Sequence, residues 1–170
     1  MTELRPISAG FQQRLSRDLE DLTSRSGNMT YAQACNRNAE ELPDRIAVVD
    51  RRNRLDWAAV KERSDRLALG LMECGILRPD VAMLHLPNGA EQFLIRLACE
   101  KAGIRVALTS TWFRETELIS IIEQTRPRIA FIDTDLAGGG AYDRLREIMA
   151  DRNMEIQFVS VGVGAGAPWA

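Results

Sequence analysis

One histidine, two lysines and three scattered cysteines are all that this 170-residue chain offers of the residue types most often used for chemistry. A single histidine is too few for a Cys/His metal cluster, and any Ser-His-Asp arrangement would have to be built on His85. His85 lies inside an apolar run and reads as a core histidine with one backbone partner. Cys35, Cys74 and Cys99 contain no C-x-x-C pair. Their odd number, without a secretory leader, fits a reducing compartment and thiols that act as small buried hydrophobes. Cys99 falls in a helical pattern with no base spaced to activate it. The opening Met1-Thr-Glu-Leu-Arg-Pro6 lacks the basic-then-apolar layout of a secretory signal. No apolar run approaches the ~20 residues needed to span a bilayer. The expected location is the cytoplasm, with no membrane partner. An excess of one charge sign is also lacking: 22 basic residues stand against 24 acidic ones, a net charge of -2. The arginines form no stripe, so a general nucleic-acid binder is excluded.

Phosphate-gripping motifs are missing as well. Gly138-Gly-Gly140 has no Lys-Ser/Thr behind it, so it is no Walker-type cradle. Val161-Gly-Val-Gly-Ala-Gly166 is spaced G-x-G-x-G rather than G-x-G-x-x-G, and Pro168 follows in place of a helix. Arg51, Arg52 and Arg54 read as a solvated hairpin tip. The residues by themselves specify a fold and no reaction.

What the chain does have is ordinary globular composition, 45% apolar and 27% charged, in a length suited to one domain. Apolar Phe11, Leu15, Leu19 and Leu22 predict an amphipathic helix over 8–22, and Ser24 to Asn28 a loop. Thr30 and Gln33 have capping-box spacing and open a helix that Pro43 breaks. Arg45 to Asp50, a polar turn at 51–53 and Arg54 to Trp57 predict a hairpin, with Asp56 capping the next helix. In that helix Trp57, Val60, Leu67, Leu71 and Met72 form the expected buried stripe, with Lys61, Glu62, Arg63, Asp65 and Arg66 facing water. Gly75 is its expected stop.

Strands and helices then alternate. Val81 to Leu86 is a nearly continuous apolar strand, ended by Pro87, and Asn88 is placed to cap a helix whose core face is Phe93, Leu94, Leu97 and Ala98. Arg105 to Thr109 and Arg128 to Asp133 are further strands, separated by a helix from Glu115 that Pro127 stops. A loop over Ala137 to Gly140, a helix through Tyr142, Leu145, Ile148 and Met149, and a strand from Ile156 to Val161 complete the alternation. The fold class expected is therefore α/β, with a largely parallel sheet flanked by helices and joined by right-handed crossovers. A flavodoxin-like nucleotide or response-regulator domain shares that alternation, but needs acidic or Gly-rich loops at its strand ends, which Leu86-Pro-Asn88 does not supply.

Three stretches carry a resemblance. Asn38-Ala-Glu-Glu-Leu-Pro-Asp-Arg-Ile-Ala-Val-Val-Asp50 is similar to the opening N-A-x-x-x-P-D-x-I-A-V-V-D of acyl-CoA synthetases. Leu55-Asp-Trp57 through Ser64-Asp-Arg-Leu-Ala-Leu-Gly-Leu71 is similar to their L-T-Y-x-E-L…S-x-R-L-A-x-G-L. Leu86-Pro-Asn88, Phe93, Ala102-Gly103 and Glu117-Leu118 are similar to L-P-N…F…A-G…E-L. Order and gaps agree over residues 30 to 133. The chain thus resembles the N-terminal part of the luciferase-like, adenylate-forming superfamily.

The resemblance implies the front portion of the large N-terminal domain of an ATP-dependent acyl- or aryl-CoA ligase. Residues 1–29 would be an N-terminal helix and loop, and 30–170 the incomplete first part of the domain. Such enzymes join a carboxylic acid to ATP with Mg²⁺, release pyrophosphate, and pass the acyl adenylate to CoA. A mixed anhydride with AMP supplies the leaving group that a free carboxylate lacks, and Mg²⁺ and cationic groups stabilise charge on the phosphates. The Ser/Thr/Gly-rich loop with Pro-Lys, the Thr-Gly-Asp motif and the late lysine do not occur in this chain. Lys61 and Lys101 match no catalytic position. The expectation is a segment inactive alone, with no catalytic residue and no bound metal, needing a missing C-terminal part of the same enzyme. Arg114, where some relatives place basic side chains near the 3′-phosphate of CoA, is the one candidate cofactor-binding residue. A peptide-synthetase adenylation domain and a non-catalytic binding module are the alternative readings.

Overall fold

The computed structural model describes residues 27, 29–133, 140–152 and 154–162. The helix expected over 8–22 and the tail beyond Gly162 lie outside them, as do most of the loops expected at 24–28 and 137–140 and the 1–29 domain. Gly140 itself opens a helix.

Helix α1 spans Tyr31–Glu41. Its capping box is formed as expected: the Gln33 N–H donates to Thr30 Oγ1 at 3.2 Å, and the Thr30 N–H donates to Gln33 Oε1 at 2.8 Å. Strands β1 (Ile46–Val49) and β2 (Arg54–Asp56) pair antiparallel, with an irregularity between Ile46 and Val48. Asp56 caps α2 (Trp57–Glu73), accepting from the Ala59 N–H at 2.8 Å.

Helices α2 and α3 (Ala90–Lys101) end alike. The Ile76 N–H bonds to Leu71 O and the Gly75 N–H to Met72 O; the Ile104 N–H bonds to Cys99 O and the Gly103 N–H to Glu100 O. Both are Schellman caps, which require left-handed backbone at the glycine, and φ is 75° at Gly75 and 72° at Gly103. Each cap turns an apolar residue, Ile76 or Ile104, back into the core that the helix has just covered.

The main sheet contains β3 (Val81–His85), β4 (Arg105–Leu108), β5 (Ile129–Asp133) and β6 (Gln157–Val161), all parallel and ordered β4-β3-β5-β6. Helices α4 (Glu115–Thr125) and α5 (Gly140–Asp151) complete the alternation. Because side chains alternate across a strand, the sheet has two apolar faces. Ala82, Leu84, Ile129 and Phe131 meet Ala68 and Leu71 of α2 and Ile95, Ala98 and Cys99 of α3. Met83, Ala130 and Ile132 meet Leu118 and Ile122 of α4 and Leu145 and Met149 of α5. This is the parallel, doubly covered architecture expected, and continuous apolar strands are its cause. Beyond α2 and α3, a third cluster joins Ala32 and Cys35 of α1 to Leu55, Val60, Ala90 and Leu97. Helix α3 is therefore apolar on two sides. Phe93 and Leu94, expected on one core face with Ala98, point instead to the α1 layer.

Three expectations about α2 and α3 fail. Met72 is 46% exposed, and Ser64 is fully buried in the stripe. Ser64 is tolerated there because its hydroxyl donates to Val60 O at 2.7 Å and accepts from Lys101 Nζ at 2.8 Å. Asp65, expected in water, accepts from Lys101 Nζ and Lys61 Nζ, each at 2.6 Å. Nor does Asn88 cap α3: Gly89 is the N-cap residue, with no cap from a side chain of its own. The cap comes from the hairpin. Asp50 Oδ2 accepts the Ala90 N–H at 2.8 Å, while Oδ1 accepts the N–H groups of Arg52 at 2.8 Å and Asn53 at 2.7 Å.

Those backbone donors, Ala90 first and Arg52 next, hold the Asp50 carboxyl down at about 2 against an ordinary 3.8. A depressed acid stabilises the fold above its unfolded pKa and loses that contribution as pH falls through the folded one. Asp50→Asn should therefore lower Tm at pH 7. It should also flatten the Tm-versus-pH curve between about pH 4 and pH 2. Parallel acid melts of the two proteins check this, and superimposable curves would refute it.

Candidate functional site

In an open parallel sheet, ligands collect at the carboxyl ends of the strands where the crossovers change direction. Here β3 leads through α3 to β4 on one side, whereas β5 leads through α5 to β6 on the other. The carboxyl ends of β3 and β5 thus flank the switch point. Leu86-Pro-Asn88 leaves the sheet there, and the chain after β4 makes a tight turn, with the Phe113 N–H bonded to Ser110 O at 3.0 Å.

His85 is the last residue of β3 and only 3% exposed. Its partner is a side chain rather than the expected backbone group: Nδ1 lies 2.9 Å from Thr109 Oγ1. Thr109 Oγ1 in turn donates to Leu84 O at 3.1 Å. Burial pushes the imidazole below its ordinary 6.5, with Asp133, which ends β5, pulling weakly the other way. A neutral ring at pH 7 follows. Proton NMR of the sole histidine should give a titration midpoint below 6.5, and a midpoint at or above that value would contradict the burial argument.

Arg114 lies at the same end of the molecule, as the exposed N-cap residue of α4. Its backbone N–H donates to Glu117 at 3.0 Å. Beside it Trp112 is 90% exposed. The structure does not bring Arg114 together with the lysines. Lys101 ends α3, which returns from the carboxyl edge toward the opposite edge, where it pairs with Asp65 of α2.

Of the three cysteines expected to be small buried groups, two are buried and Cys74 is not. Burial, with a smaller push from Glu100, lifts the Cys99 thiol to about 12, so it is an inert core group. Cys35 is also buried and raised, chiefly by burial, and Cys74 is exposed. Among the described residues no group of three His, Cys, Asp or Glu could hold a metal. Among those residues, too, no helix is long and apolar enough to cross a membrane. Sequence reasoning named His85 but missed Thr109 and Asp133 as its neighbours. The available signal was a polar residue at the end of three apolar runs, His85, Thr109 and Asp133.

Comparison with known proteins agrees with this architecture. A family model described as AMP-binding enzyme matches residues 35–164. Pyochelin synthase PchD of Pseudomonas aeruginosa is 34% identical over 91 residues, 54% of this chain and 17% of that protein. The mitochondrial medium-chain acyl-CoA ligase ACSF2 of Macaca fascicularis is 30% identical over 114 residues, 58% of this chain and 18% of its own length. The chain thus spans less than a fifth of either relative. Among solved structures, O-succinylbenzoate coenzyme A synthetase (MenE) of Bacillus subtilis, in complex with ATP and magnesium ion, superposes with a TM-score of 0.62 at 21% identity. It covers 74% of this chain and 32% of that one. With the family model covering most of the chain, and the sheet that of the N-terminal domain of adenylate-forming enzymes, this chain belongs to the AMP-binding enzyme family.

Proposed function

We propose that the chain is the N-terminal segment of an ATP-dependent acyl- or aryl-CoA ligase and that its work within the complete enzyme is scaffolding. The complete enzyme would adenylate a carboxylic acid with ATP and Mg²⁺, then transfer the acyl group to CoA. The observation that carries the scaffolding role is where the two lysines stand. Lys61 and Lys101 are both engaged by Asp65 between α2 and α3, so neither is offered to a phosphate.

The described residues do not fit ATP and Mg²⁺. They hold no metal-binding group, and the strand ends carry His85 and Asp133 where a phosphate cradle needs backbone N–H groups and a lysine. No step through either group is assigned to this chain. Arg114 suits a weak contact with the 3′-phosphate of CoA: it is exposed, although Glu115 and Glu117 in the first turn of α4 oppose an anion.

The likeness to a pyochelin synthase supports a second reading, in which the acceptor is a carrier-protein thiol. The identity of the thiol that accepts the acyl group separates the two. The chain alone should show no carboxylate-dependent exchange of pyrophosphate into ATP, whereas the complete polypeptide should show it. Exchange above blank by the segment would refute the scaffolding role.

A further inference from the structure

The arginines are scattered in sequence, yet the fold gathers four of them along one edge. Each strand of the sheet begins just after a helix has ended, so the loops entering β3, β4 and β5 share the amino edge. Arg78 precedes β3, Arg105 opens β4, and Arg126 and Arg128 precede β5; all four are exposed. Strand pairing fixes their spacing. Arg105 is the register partner of Val81, and from the other side the Arg128 N–H donates to Val81 O at 2.9 Å. With neighbouring strands about 4.8 Å apart, Arg105 and Arg128 are anchored roughly 10 Å from each other. No ion pair among the described residues involves any of the four. The Arg105 guanidinium donates to Pro79 O, at 2.7 and 3.1 Å, and so keeps its charge uncompensated. Acids of the same edge are engaged elsewhere: Asp80 accepts the Leu77 N–H at 2.9 Å, and Glu123 pairs with Arg152 at 3.0 Å. Arg126 adds a separate sign. Among the described residues it is the one non-glycine residue with positive φ, 45°, a left-handed position that glycine would occupy without strain.

We propose that this arginine row is a docking surface for the acidic face of a partner protein. The chemistry selects the class. Helices α2, α3 and α4 end at this edge, and helix C-termini repel a small anion rather than cradle it. Guanidinium forks suit carboxylates, and a helix with acids at i and i+7 presents them about 10.5 Å apart, which matches the row. Four cations in a chain of net charge -2 are too few for a nucleic-acid backbone, whose binders neutralise about 6–10 phosphates. The edge also lies opposite the switch point where ligands collect, which leaves it free for a protein. The inference stands on the row and does not depend on which carboxylic acid or thiol the complete enzyme uses.

The test uses a glutamate decapeptide as the acidic probe. Titrated at low salt into the ¹⁵N-labelled chain, it should shift the amides around Arg78, Arg105, Arg126 and Arg128 saturably, with a Kd below about 1 mM. Arg126→Gln combined with Arg128→Gln alters two exposed side chains and no backbone bond, so it should fold as the parent does and bind about tenfold more weakly. Arg63→Gln combined with Arg66→Gln removes the same charge from the exposed face of α2 and should bind as the parent does. The complete polypeptide should bind the peptide as the chain does. Inorganic phosphate should leave the row unmoved, and a thymidine decanucleotide should bind more weakly than the peptide. No shift at the row, an equal loss in the two double variants, or loss of binding in the complete polypeptide would each overturn the proposal. So would a phosphate shift at the row, or decanucleotide binding as tight as that of the peptide.

Discussion

Phe131→Ala should lower stability by about 3–5 kcal/mol. Phe131 is fully buried and lies on an inner strand of the sheet, on the face covered by α2 and α3. Removing its ring leaves a void among Leu84, Ile95 and Ala98, each held in place by a strand or helix that has little room to close in. For a chain of this length that loss corresponds to a Tm lower by about 6–20 °C. Total stability of such a domain is about 5–15 kcal/mol, so a measurable unfolded fraction at 37 °C is expected. Phe131→Leu, which retains most of the volume, should cost under about 1.5 kcal/mol. Thermal melts of both variants check the argument. Equal, small losses would mean that the face is loosely packed.

The second large effect lies between α2 and α3. Lys101 is 9% exposed at its side chain, and its ammonium touches Asp65 and the Ser64 hydroxyl. Removing one partner of a buried pair costs about 3–5 kcal/mol, because the other charge is left in a poor medium. Asp65 itself is 37% exposed and shared with Lys61. Solvent screening therefore reduces the expected cost of Asp65→Ala to about 2–3 kcal/mol. Asp65→Ala combined with Lys101→Met should be more stable than Asp65→Ala alone, since no buried charge then lacks a partner. A double-mutant cycle by urea unfolding measures this, and strict additivity would show that the pair is uncoupled. Burial works against the charged form of Asp65, but the hydrogen bonds from Lys101 and Lys61 prevail and depress its pKa. Its contribution is thus full at neutral pH and wanes as acid protonates it, in the same direction as that of Asp50.

Much of the architecture was legible because it depends on nearest neighbours in the chain. Runs such as Val81 to His85 and Ile129 to Asp133 are typical of strands covered on both faces in a parallel sheet. Thr30, Asp56, Gly75 and Gly103 mark helix ends through bonds made within a few residues. What stayed hidden depends on contacts between distant segments. Asn88 has the right chemistry to cap α3, yet Asp50, on a hairpin 40 residues earlier, takes the Ala90 N–H instead. Lys101 and Asp65 look solvated in their own helices and meet only once those helices pack. The family motif ending at Asp50 marks a brace between the hairpin and α3, because its acid ties the backbone of both. For the candidate site, His85 was visible as a lone imidazole. Thr109, its hydrogen-bond partner, is 24 residues away and joins it through strand pairing.

The order β4-β3-β5-β6 makes β3 the earliest strand of the sheet and an inner one. Its two neighbours are synthesised later, one after a single helix and the other after two. A nascent chain that has emerged only as far as α4 would therefore carry a greasy strand with one flank unzipped. The sheet cannot clasp itself until Ile129–Asp133 clears the ribosome, and whatever shields that flank in the meantime must come from outside the segment already made.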